Sequence, residues 1–103
     1  MSSLASVFFM FCALSTQEAA VDATAVEAFR SGEHEVALEL WDEALRAPEL
    51  GVRERARLLY NAGNAAARGG GWMVAVAYYT EALKGAPRDA DLWFNLEYAR
   101  REA

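Results

Sequence analysis

A chain of 103 residues has room for one domain with a limited core, so packing between neighbouring elements must supply most of its stability. Its formal charge of −5 is uneven: residues 16–50 hold nine acidic side chains against two basic ones, while residues 51–103 hold eight basic against six acidic. The acidic half argues against a nucleic-acid partner, and a single cysteine excludes both an internal disulfide and a Cys/His zinc cluster.

Residues 1–15 read as a signal peptide or membrane-anchoring segment, and residues 16–103 as the folded domain. Leu4 to Leu14 is an uncharged apolar run, too short for an ordinary membrane-spanning helix and suited to a signal-peptide core. Ala13 and Ser15 put small residues where a signal peptidase reads, although no Lys or Arg precedes the run. Met10 and Phe11 are too bulky for a lipoprotein site at Cys12, and a buried N-terminal helix segment is the alternative to export. The expected location is exported, periplasmic or inner-membrane associated, with any membrane contact made through residues 1–15.

A first helix is predicted from Gln17 to Arg30, with Val21, Ala25, Ala28 and Phe29 at helical spacing, broken by Ser31-Gly32. A second runs from about His34 to Arg46, its apolar stripe made of Val36, Ala37, Leu40, Trp41, Ala44 and Leu45, with Glu35, Glu39, Asp42 and Glu43 facing out. Pro48 ends it, and a third helix spans about Val52 to Arg68 before Gly69-Gly70-Gly71. Trp72 to Tyr79 has the composition of a buried strand, but helical spacing persists through Ala82 and Leu83 to Lys84, so a fourth helix is preferred. Gly85 and Pro87 stop it. Asp89 caps a fifth helix from about Ala90 to Glu102, with Leu92, Trp93, Leu96 and Ala99 turned inward.

These elements repeat. Gly32, Ala37, Trp41, Ala44 and Leu45 recur 38 residues later as Gly70, Ala75, Tyr79, Ala82 and Leu83, and Pro48 is answered by Pro87 one residue out of step. A second echo, 34 residues apart, sets Tyr60-Asn61-Ala62 against Phe94-Asn95-Leu96. A period in the mid-thirties built from small residues, an aromatic and a proline marks a stack of helix–turn–helix units, an architecture used for binding more than for chemistry.

Little in the sequence points to chemistry. His34 is the only histidine, and Ser31, Thr80 and Cys12 form no nucleophile–base set with it that spacing supports. Glu39, Asp42 and Glu43 read as an exposed helix face. The triple glycine lacks the Gly-Lys-Ser/Thr of a phosphate loop. Trp41, Trp72 and Trp93 read as core. No catalytic residue, metal or cofactor is expected.

Leu59, Ala62, Gly63 and Ala66, followed by Gly70, Ala75, Tyr79, Ala82 and Pro87, resemble the tetratricopeptide repeat (TPR), and the likeness extends more weakly over residues 19–102. It implies an all-α fold: a right-handed helical solenoid of about two repeats, with the Trp93 helix as a cap or the start of a third. The segments Tyr60-Asn61-Ala62-Gly63-Asn64-Ala65-Ala66, Pro87-Arg88-Asp89-Ala90-Asp91 and Asn95-Leu96-Glu97-Tyr98-Ala99-Arg100 are also similar to the TPR proteins of bacterial aerotolerance (Bat) operons, envelope proteins with an export signal and operon partners.

The resemblance implies a concave groove lined by the first helix of each unit: Tyr60, Asn61, Asn64, Ala67 and Arg68, with Asp91, Phe94, Asn95, Tyr98 and Arg101 from the last helix. Asparagine amides suit an extended peptide backbone, and the aromatic rings supply stacking surface; bridging between neighbouring helices is the other reading of Asn61 and Asn95. The basic clamp by which some TPR modules hold a C-terminal carboxylate is not expected, since Asp22 and Asp91 stand where Lys belongs. The expected function is a non-enzymatic scaffold that binds a protein or peptide partner, such as another aerotolerance-operon product. The alternative is a self-assembling protein, stacked head to tail into homo-oligomers through its acidic and basic ends.

Overall fold

The computed structural model describes residues 19–103. The apolar run 4–14, the cleavage point after Ser15, Cys12 and the start of the first helix at Gln17 lie outside the described residues. From residue 19 onward the chain is helical, with no strand among the described residues. Helix α1 is described over residues 19–30; α2 spans His34–Ala44, α3 Val52–Arg68, α4 Trp72–Leu83 and α5 Ala90–Glu102. No helix among the described residues is long and apolar enough to cross a membrane.

The 38-residue repeat is visible first in the turns. Gly32 and Gly70 adopt φ of 82° and 81°, the left-handed conformation that a side chain disfavours. Around each, the same pair of bonds closes the preceding helix. The Glu33 amide donates to the Ala28 carbonyl at 2.9 Å and the Gly32 amide to Phe29 at 3.1 Å. Thirty-eight residues later the Gly71 amide donates to Ala66 at 2.8 Å and the Gly70 amide to Ala67 at 3.0 Å. Both are Schellman caps, and both reverse the chain into an antiparallel partner helix. At the start of α5, the Asp89 carboxylate accepts from the Leu92 amide at 3.1 Å, as the sequence predicts.

Two small cores result. One gathers Ala25, Ala28, Ala37, Trp41, Ala44, Leu58, Ala62 and Ala65; the other Leu59, Ala66, Ala75, Tyr79, Ala82, Leu92, Leu96 and Ala99. Each is built around one buried aromatic, Trp41 or Tyr79, flanked by alanines at matching positions. The alanines let helix axes approach, and the aromatic fills the remaining volume at roughly 1.5–3 kcal/mol of burial. Helix α3 belongs to both: Leu58, Ala62 and Ala65 face one core, while the adjacent Leu59 and Ala66 face the other.

Polar side chains tie the first three helices together. The Trp41 Nε1 donates to Asp22 Oδ1 at 2.8 Å, and Arg57 donates to Asp22 Oδ2 at 2.9 Å and Glu54 Oε1 at 2.6 Å, linking α1, α2 and α3. The hydrogen bonds with Glu54 and Asp22 hold Arg57 cationic well beyond its ordinary range, against the cost of partial burial.

Several inward and outward assignments change. Val36 is exposed, because it stands on an α2 flank that no neighbouring helix among the described residues covers. Asp42 is half-buried, since Tyr78 on α4 reaches across and donates a hydrogen bond to its carboxylate. Burial, reinforced by that carboxylate, raises the Tyr78 pKa. Trp93 does not enter the core: its ring is exposed and its Nε1 donates to the Pro87 carbonyl at 2.8 Å, closing the turn before α5. Helix α2 stops at Ala44 and α4 at Leu83, slightly short of their predicted ends.

Candidate functional site

Helices α3 and α5 run in the same direction on either side of a trough, with the antiparallel α4 behind them. On α3, residues 53, 56, 57, 60, 64, 67 and 68 recur three or four residues apart, with 56/57 and 67/68 as adjacent pairs, and share one face. On α5 the facing stripe carries Leu92, Asn95 and Tyr98, preceded by the N-cap Asp89. These two stripes line two cavities that share Tyr60 as a common wall.

The first cavity, of about 380 Å³, is lined by Phe29, Tyr60, Asn64, Ala67, Arg68, Trp72, Tyr79, Asn95 and Tyr98. Five aromatic rings surround it. Tyr60 and Tyr79 are 5.9 Å apart between ring centroids, Trp72 and Tyr98 5.7 Å, and the Arg68 guanidinium lies 5.5 Å from the Phe29 ring centroid. These are ordinary aromatic and cation–π distances, so the walls are held against one another without filling the space between them.

A polar network fixes the floor. Asn95 Nδ2 donates to the Tyr60 hydroxyl at 3.0 Å and to Asn64 Oδ1 at 3.2 Å, bridging α5 to α3. The Tyr79 hydroxyl donates to the same Asn64 oxygen at 2.6 Å, bringing in α4. Tyr79 is only 2% exposed, and burial, with Tyr60 beside it, pushes its pKa up to about 12. It is therefore a neutral donor at any physiological pH. Among the described residues these bonds leave unspent the Asn64 amide N–H donors, the Asn95 carbonyl oxygen and the Tyr60 hydroxyl proton.

Of the residues expected from the sequence, Tyr60, Asn64, Arg68, Asn95 and Tyr98 converge on this cavity, with Ala67 between them. Asn61, Asp91, Phe94 and Arg101 do not line it. Asn61 is half-buried one residue round α3 from Tyr60. Phe94 precedes Asn95 by one residue, a rotation of about 100°, which carries its ring into solvent at 65% exposure. Asp91 and Arg101 are exposed outside the lining. The expected bridging by asparagine holds for Asn95.

Three lining aromatics were not expected there. Phe29 and Tyr79 look like core residues by spacing, and Tyr79 is one, but its hydroxyl edge reaches the trough. Trp72, expected in the core, is half-buried and forms the far wall. The available signal was its position as the first residue after the triple glycine, at the end of the trough where α3 has just finished.

The second cavity, of about 390 Å³, lies at the other end of the same stripes and is lined by Arg53, Ala56, Arg57, Tyr60, the Gly85–Asp89 turn and Leu92. A third, of about 180 Å³, opens elsewhere, between His34, Leu38, Ala65 and Val74 among others. There the buried Nδ1 of His34 has no hydrogen-bond partner among the described residues, and the ring packs edge-on to Phe29 at 5.6 Å. No family model matches the chain, and no curated protein matches it.

Proposed function

We propose that the chain is a non-enzymatic TPR-like interaction module, a right-handed helical solenoid that holds an extended peptide in the trough between α3 and α5. The observation that carries this reading is the unspent donor–acceptor pair on Asn64 and Asn95, set among five aromatic rings. A peptide group needs one acceptor for its N–H and one donor for its C=O. The Asn95 carbonyl oxygen supplies the first and the Asn64 amide the second, while Tyr60, Trp72 and Tyr98 offer flat apolar surface for the side chain alongside. The bridging network holds both amides in place before the ligand arrives, which lowers the ordering cost of binding. Export to the envelope is a separate proposal that rests on the apolar run 4–14 of the sequence alone.

The test is selection of short random peptides against the full chain, followed by titration of the selected peptides with Tyr98→Ala. Tyr98 is 45% exposed and belongs to neither core, so its truncation should leave the fold intact. Loss of a stacking side chain should weaken binding about tenfold. Undiminished binding by the folded variant would place the ligand elsewhere and refute the reading.

A second reading, head-to-tail self-association, draws on the uneven charge, nine acidic side chains in residues 16–50 and eight basic ones in residues 51–103. It requires oligomers that weaken with salt in sedimentation, and a salt-independent monomer excludes it.

A further inference from the structure

The second cavity gives the trough a chemical polarity. Its lining includes Arg53, Arg57 and Arg88, and the first cavity adds Arg68; among the described residues the only carboxylate lining either is Asp89. A chain of net charge −5 thus turns a cationic surface toward its trough. Two of these charged groups are already committed. Arg57 is paired with Asp22 and Glu54, and Asp89 accepts the Leu92 amide at the start of α5. Arg53 and Arg88 have no ion-pair partner among the described residues, and both are exposed at the cavity.

Tyr60 stands between the two cavities, so a peptide laid along the α3 stripe past Tyr60 enters the arginine-lined end after leaving the aromatic one. We propose that this end is an anion subsite, and that the partner is an acidic peptide: an apolar or aromatic side chain sits among Tyr60, Trp72 and Tyr98, and a carboxylate side chain a few residues along is held by Arg53 and Arg88. Planar guanidinium forks suit a carboxylate, and two unpaired ones on opposite walls, α3 and the α4–α5 turn, hold it from both sides. The clamp differs from one built within the groove floor, because both cations come from its end. This rests on the peptide-binding reading above.

The experiment uses the same peptide selection against the full chain, scored for acidic residues, with the Arg53→Gln/Arg88→Gln variant beside Tyr98→Ala. The expected peptides are enriched in Asp and Glu. They should lose about tenfold in affinity on the double variant, the sum of two exposed charge pairs, and their binding should weaken as salt rises. Replacing their acids with Asn and Gln should cost the wild type a similar factor and cost the variant nothing. Peptides that depend on Tyr98 but carry no acidic bias, or that ignore the arginine substitutions, overturn the anion subsite and leave the peptide reading standing. Peptides indifferent to Tyr98→Ala, or no selected peptide at all, overturn both. Selected phosphorylated peptides that bind better than their acidic counterparts would overturn the carboxylate assignment. Circular dichroism of each variant confirms that the fold is intact.

Discussion

Gly63→Ala tests the packing from which the trough is built. A Cβ placed on Gly63 would lie 2.6 Å from Tyr79 Cε1 and 2.7 Å from Cδ1. Carbon atoms in ordinary contact sit about 3.5–4.0 Å apart, so the ring has to retreat by about 1 Å or α3 and α4 have to separate by as much. Neither movement is free. Tyr79 is 2% exposed and its hydroxyl is held by Asn64, while separating the helices strips contacts from the alanines packed between them. Overpacking of this kind costs about 1–3 kcal/mol, and breaking the hydroxyl bond about 1 kcal/mol more. Against this, Ala in place of Gly in a helix interior returns about 1 kcal/mol. The net expectation is a loss of about 1–3 kcal/mol. In urea, with a slope near 1 kcal/mol per M for a domain of this size, the unfolding midpoint falls by about 1–3 M. Combining Gly63→Ala with Tyr79→Leu, which removes the clashing edge, should show a coupling of at least about 0.5 kcal/mol in a double-mutant cycle. A midpoint that rises, as helix propensity alone demands, would refute the packing account.

Two further outcomes are expected. A Cβ at Gly85 would meet the Val52 carbonyl oxygen at 2.7 Å and the Ala56 Cβ at 3.0 Å, so Gly85→Ala should lower the melting temperature by about 5–15 °C; Gly51→Ala, at the α3 N-cap with nothing within 4 Å, is the control and should lower it less. The second concerns alkaline pH. Burial raises the Tyr79 pKa from 10.0 to about 12, so the folded chain keeps a proton that the unfolded chain releases. Its contribution is complete below about pH 10 and is lost as pH rises from there through about 12, at no more than about 1.4 kcal/mol per pH unit. Tyr79→Phe should flatten the fall in stability over that window, and an unchanged slope in the variant would show that Tyr79 does not carry it.

The helix ranges were legible because their stop signals are chemical: Gly32 and Gly70 at the left-handed caps, Pro48 and Pro87 in the turns, and Asp89 as an N-cap. The repeat was legible because it fixes the same small residues at the same places. What the sequence hid was the environment opposite each face. Periodicity put Val36 and Trp93 on apolar stripes, but among the described residues no helix stands across from either, so both are exposed. It put Asp42 on a charged face, yet Tyr78, 36 residues away, reaches over and bonds to it. At the candidate site, Asn64, Asn95 and Tyr60 were placed in a groove by the resemblance to the tetratricopeptide repeat. Phe29 and Trp72 were missed because they enter the trough from helix ends, where a stripe seen on one helix says nothing about a neighbour's last turn.

Helix α3 gives one residue to each core at consecutive positions, Leu58 and Leu59, Ala65 and Ala66. In a linear array of repeats, the terminal units can fray independently while a central one holds. Here the central element is a single helix rather than a whole unit, so neither half can open without exposing one side of it. The amides of α3 should therefore exchange with solvent only by global unfolding, whereas those of α1 and α5 exchange through local opening. A ligand lying along α3 and α5 ties the exchangeable edge to the part that does not open, and its binding should register as slowed exchange in α5 before any rise in overall stability.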